Sequence, residues 1–397
     1  MRALIREEFY KIINRRIVRV CFGVLLLCIV LLFIVAGPGN ERSRIETGTE
    51  TRSDLETIRQ ETLSGLAAIE RDRELAKGFE GELTDEKLKR MAEAGGMLEY
   101  YHNEESISNI PVNGNYLNIF LAENRLTNGE YQNLSDYATA TEVLPLQQTA
   151  MGSLTEKPIY FAYIQGWRVL ITIMSMVGIL VSLLSIIALS PVFAEEYAIH
   201  TAPILLTTEH GKRKGIAAKM VAGILFSLGA LGISLCITVV LCICCYGVQG
   251  LNCFAGMLDN TWSLTEGWYG STSYYTIGEF LLLFVAVMAI GMVMLVAFTL
   301  FASAVARQVY EALMLGIVFF ALPGVIWFYL VMGNAEPHTQ EILYRILYCT
   351  PLYSCMNGAI HSAVSTPMLL LRAIIFLLVV LPSIWLAQTK YKNHQVA

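Results

Sequence analysis

Six long apolar runs constrain this chain more than any other feature. They lie at about Val18–Ala36, Val169–Phe193, Ala217–Val248, Phe280–Val305, Ala312–Met332 and Leu369–Gln388. A helix needs roughly 20 mostly apolar residues to cross hydrocarbon. There it must satisfy its own backbone polar groups, so runs of this length predict helices. None carries an ionised residue near its middle, where one such residue costs on the order of 3 kcal/mol on the insertion scale. The charged share agrees: 15% of the 397 residues, against about 25% in soluble domains. The expected fold class is an all-α polytopic membrane protein with six transmembrane helices and a mainly helical extracytoplasmic domain between the first two. The first run does not read as a cleavable signal, because Gly37-Pro38-Gly39-Asn40 lacks the small-x-small cleavage pattern.

Lys and Arg set the orientation. Arg2, Arg6, Lys11, Arg15, Arg16 and Arg19 precede the first run; Lys212, Arg213, Lys214 and Lys219 follow the second; Arg307 follows the fourth; Lys390 and Lys392 follow the sixth. The short loops opposite hold only Arg345 and Arg372. The positive-inside rule therefore puts both termini in the cytoplasm. The stretch 252–275 has no Lys or Arg but holds Trp262, Trp268, Tyr269, Tyr274 and Tyr275, which read as an outer interfacial aromatic belt. The division by residue is 1–19, a cytoplasmic amphipathic helix; 20–37, the first span; 38–166, the extracytoplasmic domain; and 167–397, a five-helix membrane region.

The outer domain is acid-rich, with 22 acidic residues against 12 basic. Leu55, Ile58, Leu66 and Ile69 are spaced for one face of a helix through about Ser53–Lys77. Leu83–Tyr101 predicts a second helix, loosened by Gly95-Gly96. It holds no cysteine up to Gly166, so no disulfide framework staples it. The nine cysteines lie elsewhere; Cys349 and Cys355 read as small apolar helix residues, with outer pairing the alternative.

Several chemistries are missing. Gly211-Lys212 lacks the upstream glycine and following Ser or Thr of a phosphate loop, so this chain does not hydrolyse nucleotide by itself. The six histidines stand at non-ligand spacings, so no metal site is expected. A proton- or sodium-coupled carrier usually places ionisable groups inside its spans; here the spans offer hydroxyls such as Thr172, Ser175, Ser182 and Ser185. Nucleic acid is not an expected partner.

Two cytoplasmic elements stand out. In Arg2–Arg19, Leu4, Ile5, Phe9, Ile12, Ile13 and Ile17 fall on one side of a helix, with Arg6, Lys11, Arg15 and Arg16 around the other. Such a helix lies in the inner interface against acidic lipid. It reads equally as a topology anchor or as a strut that touches a soluble partner. The second element, Glu195–Lys219, is far longer than a connector needs to be. Ser190-Pro191 closes the preceding span, Glu195-Glu196 places two anions at the membrane edge, and Ile199, Leu205 and Leu206 follow on the watery side. Apolar residues exposed in such a setting mark a docking surface; the alternative is a loop folded onto its own helices.

The order of basic tail, first span, large outer insert and then Glu195-Glu196-Tyr197, Thr201, Leu205-Leu206-Thr207-Thr208, Gly211 and Arg213-Lys214 resembles the ABC-2-type ATP-binding-cassette permeases of bacteria, Gram-positive members in particular. His200 departs from the glycine common before Thr201, and Thr208–Arg213 replaces the frequent Pro-x-Ser/Thr-Arg ending. The resemblance implies a connecting helix at the N-terminus, a coupling helix within Ile199–His210, and a re-entrant outer hairpin at 345–366. It also implies ATPase-coupling roles for Glu195, Glu196, Ile199, Thr201, Leu205, Leu206 and Arg213. The implied assembly is two permease chains, identical or related, with separate ABC ATPase subunits that use ATP and Mg, in the bacterial plasma membrane. This chain would bind no cofactor itself. The expected function is the permease subunit of an ATP-driven exporter of peptide, drug or lipid. The rival is a non-transporting membrane sensor or scaffold whose outer domain binds a ligand.

Overall fold

The computed structural model describes residues 1–52, 55–94, 116–123, 126, 143–149, 157–201, 214–258, 275–332, 337–356 and 366–392, by backbone alone at 44–52, 55–62, 118–119, 122–123, 331–332, 337–341, 366–367 and 392. Among the described residues, six helices are long and apolar enough to cross a membrane: Arg16–Asn40, Gln165–Ala198, Ile216–Tyr246, Ile277–Val305, Val309–Leu330 and Met368–Tyr391. They fall on the six apolar runs. The chain is therefore a multi-pass, predominantly helical membrane protein.

The chain divides into two units. The first comprises Met1–Val30, Ile171–Thr238 and Leu282–Ala397. It opens with α1 (Arg2–Asn14), which stops at Arg15, whose extended backbone (ψ 129°) lets α2 (Arg16–Ala36) start in a new direction. α6 (Gln165–Leu189) ends at Ser190, where Pro191 opens the short α7 (Pro191–Ala198). Proline suits the first turn of a helix, where its missing N–H has no intrahelical partner anyway. Beyond α7 come α8 (Ile216–Tyr246), α9 (Ile277–Val305), α10 (Val309–Met332), α11 (Pro337–Leu347), the single turn α12 (Pro351–Ser354) and α13 (Thr366–Lys392). The expected re-entrant segment 345–366 is broken after Leu347 and again after Ser354; residues 357–365 lie outside the described residues.

The second unit comprises Leu31–Leu170 and Val239–Leu281. Here the helix expected over Ser53–Lys77 is corrected. β1 (Arg42–Arg52) pairs antiparallel with β2 (Leu55–Ser64), with an irregularity between Glu46 and Gly48, and only α3 (Leu66–Lys77) is helical. Thr49, Thr51, Thr57, Ile58 and Thr62 are β-branched and favour extended pairing. Gly65, at φ +67°, turns the chain from strand to helix in a conformation that costs other residues more. Leu66 is exposed while Ile69 is buried, so the apparent apolar face was two short patterns run together.

β3 (Gly81–Glu82), α4 (Asp85–Ala94), α5 (Tyr116–Glu123) and β4 (Tyr160–Phe161) follow, with β3 pairing antiparallel to β4. The second expected helix is thus described from Asp85 to Ala94; Gly95, Gly96 and the rest of it lie outside the described residues, as do Trp262, Trp268, Tyr269 and Tyr274. Gly166 lets α6 and α8 cross closely: a Cβ there would stand 2.4 Å from that of Tyr246. All nine cysteines are free thiols.

Candidate coupling site

The turn between the second and third spans is built from a helix break. Ser190 and Pro191 end one helix and begin another, which leaves the first N–H groups of α7 without intrahelical partners. Ser303, from the end of α9, supplies the missing acceptor. Its hydroxyl oxygen accepts from the backbone N–H of Phe193 at 2.9 Å and of Ala194 at 3.1 Å, and its O–H donates to the Ser190 carbonyl at 2.6 Å. Tyr197 reinforces the same junction by donating to the Ala304 carbonyl at 3.1 Å. A hydroxyl from a different helix therefore performs the capping that Ser or Thr usually performs locally.

Capped in this way, α7 presents Glu195 and Glu196 to two different neighbours. Glu195, half exposed, accepts from Arg15 Nη2 at 2.7 Å, while Arg15 Nη1 donates to the Ala188 carbonyl at 3.1 Å. Glu196 is nearly enclosed. Its carboxylate accepts from the Lys219 ammonium in the first turn of α8 and from the Tyr391 hydroxyl near the end of α13. Lys219 is only 6% exposed. It donates also to the Val192 carbonyl at 3.1 Å, lies 3.9 Å from Glu8 Oε2 of α1, and sits 5.3 Å from the centre of the Phe193 ring. The Tyr391 ring packs on Phe193 and Tyr197 at 4.9 and 5.7 Å.

A buried ammonium is tolerable only with its charge matched and its N–H groups engaged. Glu196, Val192 and the nearby Glu8 supply both requirements. Thr201 closes the turn, donating backbone N–H and hydroxyl to the Glu196 carbonyl at 3.0 and 3.4 Å, and His200 takes up φ +58° to allow it. The positive φ at His200 bears on the sequence departure there, since glycine adopts that conformation freely.

A cleft of about 370 Å³ lies beside this node, with Ile12, Pro191 and Val192 on its apolar side and Glu8, Arg15 and Lys219 among its charged groups. Ile199, 61% exposed, also lines the cleft. Of the residues the sequence singled out, the structure brings together Glu195, Glu196, Ile199, Thr201, Lys11 and Arg15 around this cleft. Arg6 and Arg16 are exposed on α1 and α2, and Lys11 pairs with Glu8 at 2.7 Å. Leu205, Leu206 and Arg213 lie outside the described residues. α1 buries Ile12 against the protein and leaves Ile13 exposed, as is Ile17 at the start of α2.

Sequence reasoning missed Ser303 and Tyr391. Ser303 is the hydroxyl within Phe301-Ala302-Ser303-Ala304, and Tyr391 sits inside the basic tail Lys390-Tyr391-Lys392; neither stands apart without the fold. Lys219 gave a signal, being a cation set inside the start of an apolar run.

The groups of this node are engaged with one another and with backbone carbonyls, and they tie four membrane helices and the N-terminal helix to one turn. Residues 2–387 match the family described as ABC-2 family transporter protein, and the chain belongs to that family. No curated protein and no solved structure matches it. The chain is accordingly a permease subunit of an ABC transporter, a membrane transport component whose family works with an ABC ATPase.

Proposed function

We propose that this permease belongs to an exporter in the bacterial plasma membrane, with both termini cytoplasmic and two permease chains, identical or related, above two separate ATPase subunits. The observation that carries the reading is the node at Glu196. A push on the segment that begins at Ile199 meets a turn already bound to Lys219 of the third span, Ser303 of the fourth and Tyr391 of the sixth. ATP and Mg are used by the partner ATPase. Its surface groove receives Ile199 and the adjoining Leu205-Leu206, with Glu195, Glu196, Thr201 and Arg213 as flanking groups. Arg6, Lys11, Arg15 and Arg16 keep α1 against acidic headgroups of the inner leaflet. Among peptide, drug and lipid cargoes, the 22 acidic residues of the 38–166 segment favour a cationic peptide.

The test is to express the chain with its genetically adjacent ATPase, purify the pair, and measure ATP hydrolysis and protection of cells from cationic peptides. Leu205→Asp with Leu206→Asp is expected to abolish co-purification and protection together while the permease still accumulates in the membrane. Failure of the wild-type pair to associate, joined to unchanged protection in the double variant, overturns the reading.

A further inference from the structure

The single turn α12 is seated against three membrane helices, at a glycine on each. On α9, a Cβ at Gly291 would stand 2.5 Å from Ser354 Cβ and 3.4 Å from Pro351 Cα. On α6, a Cβ at Gly178 would stand 3.1 Å from both Cβ and Sγ of Cys355. On α10, a Cβ at Gly324 would stand 3.1 Å from Leu352 Cδ2. A side chain at Gly291 would collide with this turn; one at Gly178 would meet Met288 Cε first, at 2.4 Å, and press the turn only by a few tenths of an ångström. One turn beyond Gly178, Ser182 Oγ lies 3.7 Å from Cys355 Sγ. Pro351, Tyr353, Ser354 and Cys355 are all buried. At Gly291 and Gly178 the turn is met through Ser354, Pro351 and Cys355, while Tyr353, also buried, packs edge-on against the Tyr348 ring at 5.6 Å.

A cation from the last span holds this turn. Arg372 of α13 is 3% exposed. Its Nη2 donates to the Tyr348 carbonyl at 2.7 Å and its Nη1 to Ser354 Oγ at 3.2 Å, while Ser354 donates onward to the Thr350 carbonyl at 2.8 Å. Tyr348 and Ser354 flank the break between α11 and α12, so one guanidinium spans both sides of it. Irregular backbone persists at membrane depth only where its carbonyls find donors. A buried arginine in a span is costly and marks function when it is kept.

We propose that Pro351–Cys355 is a plug that fills the space between the second, fourth and fifth spans in the resting permease, and that Arg372 is the positioning residue that latches it. Transport then requires the plug to leave its three glycine seats, breaking the Arg372 contacts as it goes. The idea rests on the permease reading for its link to transport, but the latch itself does not need the ATPase.

Native Cys355, 2% exposed, reports the seat directly. In full-length protein with the other eight cysteines replaced by Ser or Ala, the rate of Cys355 modification by N-ethylmaleimide is measured in native membranes with and without the ATPase and ATP. Arg372→Met is expected to raise the resting rate about tenfold or more, because hydrogen bonds from a charged donor are among the strongest a protein makes. Arg372→Lys, which keeps a cation and a donor, is expected to restore most of the slow rate. ATP turnover is expected to raise the wild-type rate. Gly291→Ala, which presses a methyl group against Ser354, provides a second unseating variant if Arg372→Met does not accumulate. Equal slow rates in wild type and in whichever unseating variant accumulates overturn the latch. A raised resting rate in the variant with no change on ATP turnover, in a complex shown to hydrolyse ATP, keeps the latch and overturns the role in transport. An absent ATPase association instead counts against the permease assembly alone.

Discussion

Lys219, at the first turn of the third span, donates to the carboxylate of Glu196 on the turn that ends the second, and both groups are withdrawn from water. Removing one partner of such a pair leaves an uncompensated charge, which costs about 3–5 kcal/mol, whereas replacing both with apolar groups is often neutral. Lys219→Met is therefore expected to lower the thermal stability of the detergent-solubilised chain sharply, and Glu196→Met to do the same. The double variant is expected to recover most of that loss yet leave ATP hydrolysis uncoupled from transport. Thermal unfolding of the four proteins checks the first half; a double variant that transports normally refutes the second.

Ser303 makes a narrower prediction. Its hydroxyl accepts two backbone N–H groups of α7 and donates to one carbonyl. Ser303→Ala strands these, and loss of a cap costs about 1–2 kcal/mol. Ser303→Thr keeps the hydroxyl but must fit a further methyl at a residue with no exposed surface. Ser303→Ala is expected to increase amide hydrogen exchange across 191–198 without altering exchange in α3 of the other unit. Unchanged exchange in α7 would dismiss the cap.

The six spans were legible because their signal is additive: twenty apolar residues predict a crossing helix whatever packs around them. The N-terminal helix over Arg2–Asn14 was legible too, from the helical spacing of its apolar residues. The pairing inside the node was not. Glu196 selects Lys219 and Tyr391 across intervals of 23 and 195 residues, and no local pattern encodes such distances. The 38–166 segment failed for another reason. Leu55, Ile58, Leu66 and Ile69 match a helical period, but Gly65 separates a strand from a helix, and periodicity over a short window does not see the break. Ser303 and Arg372 look like a small hydroxyl and an orientation charge until the fold puts backbone carbonyls beside them.

Arg15 and Glu195 predict a charge swap. Their pair, at 2.7 Å, joins the linker after α1 to α7 and leaves Glu195 half exposed. A partly exposed pair contributes only about 0–1 kcal/mol, but reversal also sets two carboxylates together and removes the donor to the Ala188 carbonyl, so Arg15→Glu is expected to lower the melting temperature modestly. Its larger effect falls on coupling: Arg15→Glu lowers the transport achieved per ATP, and Arg15→Glu with Glu195→Arg restores part of it. Arg15 also donates to the Ala188 carbonyl, which the swap does not replace, so full recovery is not expected. Lack of any recovery in the swapped pair would show that the ion pair carries no coupling.

Asp72 gives a pH dependence confined to the second unit. It is 4% exposed, accepting from Ser43 Oγ at 2.7 Å and from the Tyr116 N–H at 3.3 Å. Burial pushes its pKa up from 3.8 to about 6; the two hydrogen bonds and Arg71 pull the other way, and the nearby Glu41 carboxylate adds to the rise. The folded chain therefore holds this proton more tightly than the unfolded chain does. The resulting stabilisation is fully present below pH 3.8 and is lost as pH rises through about 6. A gap of that size corresponds to about 3 kcal/mol as an upper bound. Asp72→Asn keeps an acceptor for Ser43 and Tyr116 without the charge, so it is expected to protect α3 above pH 7 and to flatten the pH response. Amide hydrogen exchange of residues 66–77 in the full-length chain between pH 5 and 8, corrected for intrinsic rates and compared between wild type and Asp72→Asn, measures both effects. Parallel pH profiles for the two proteins would mean that Asp72 does not titrate in this range.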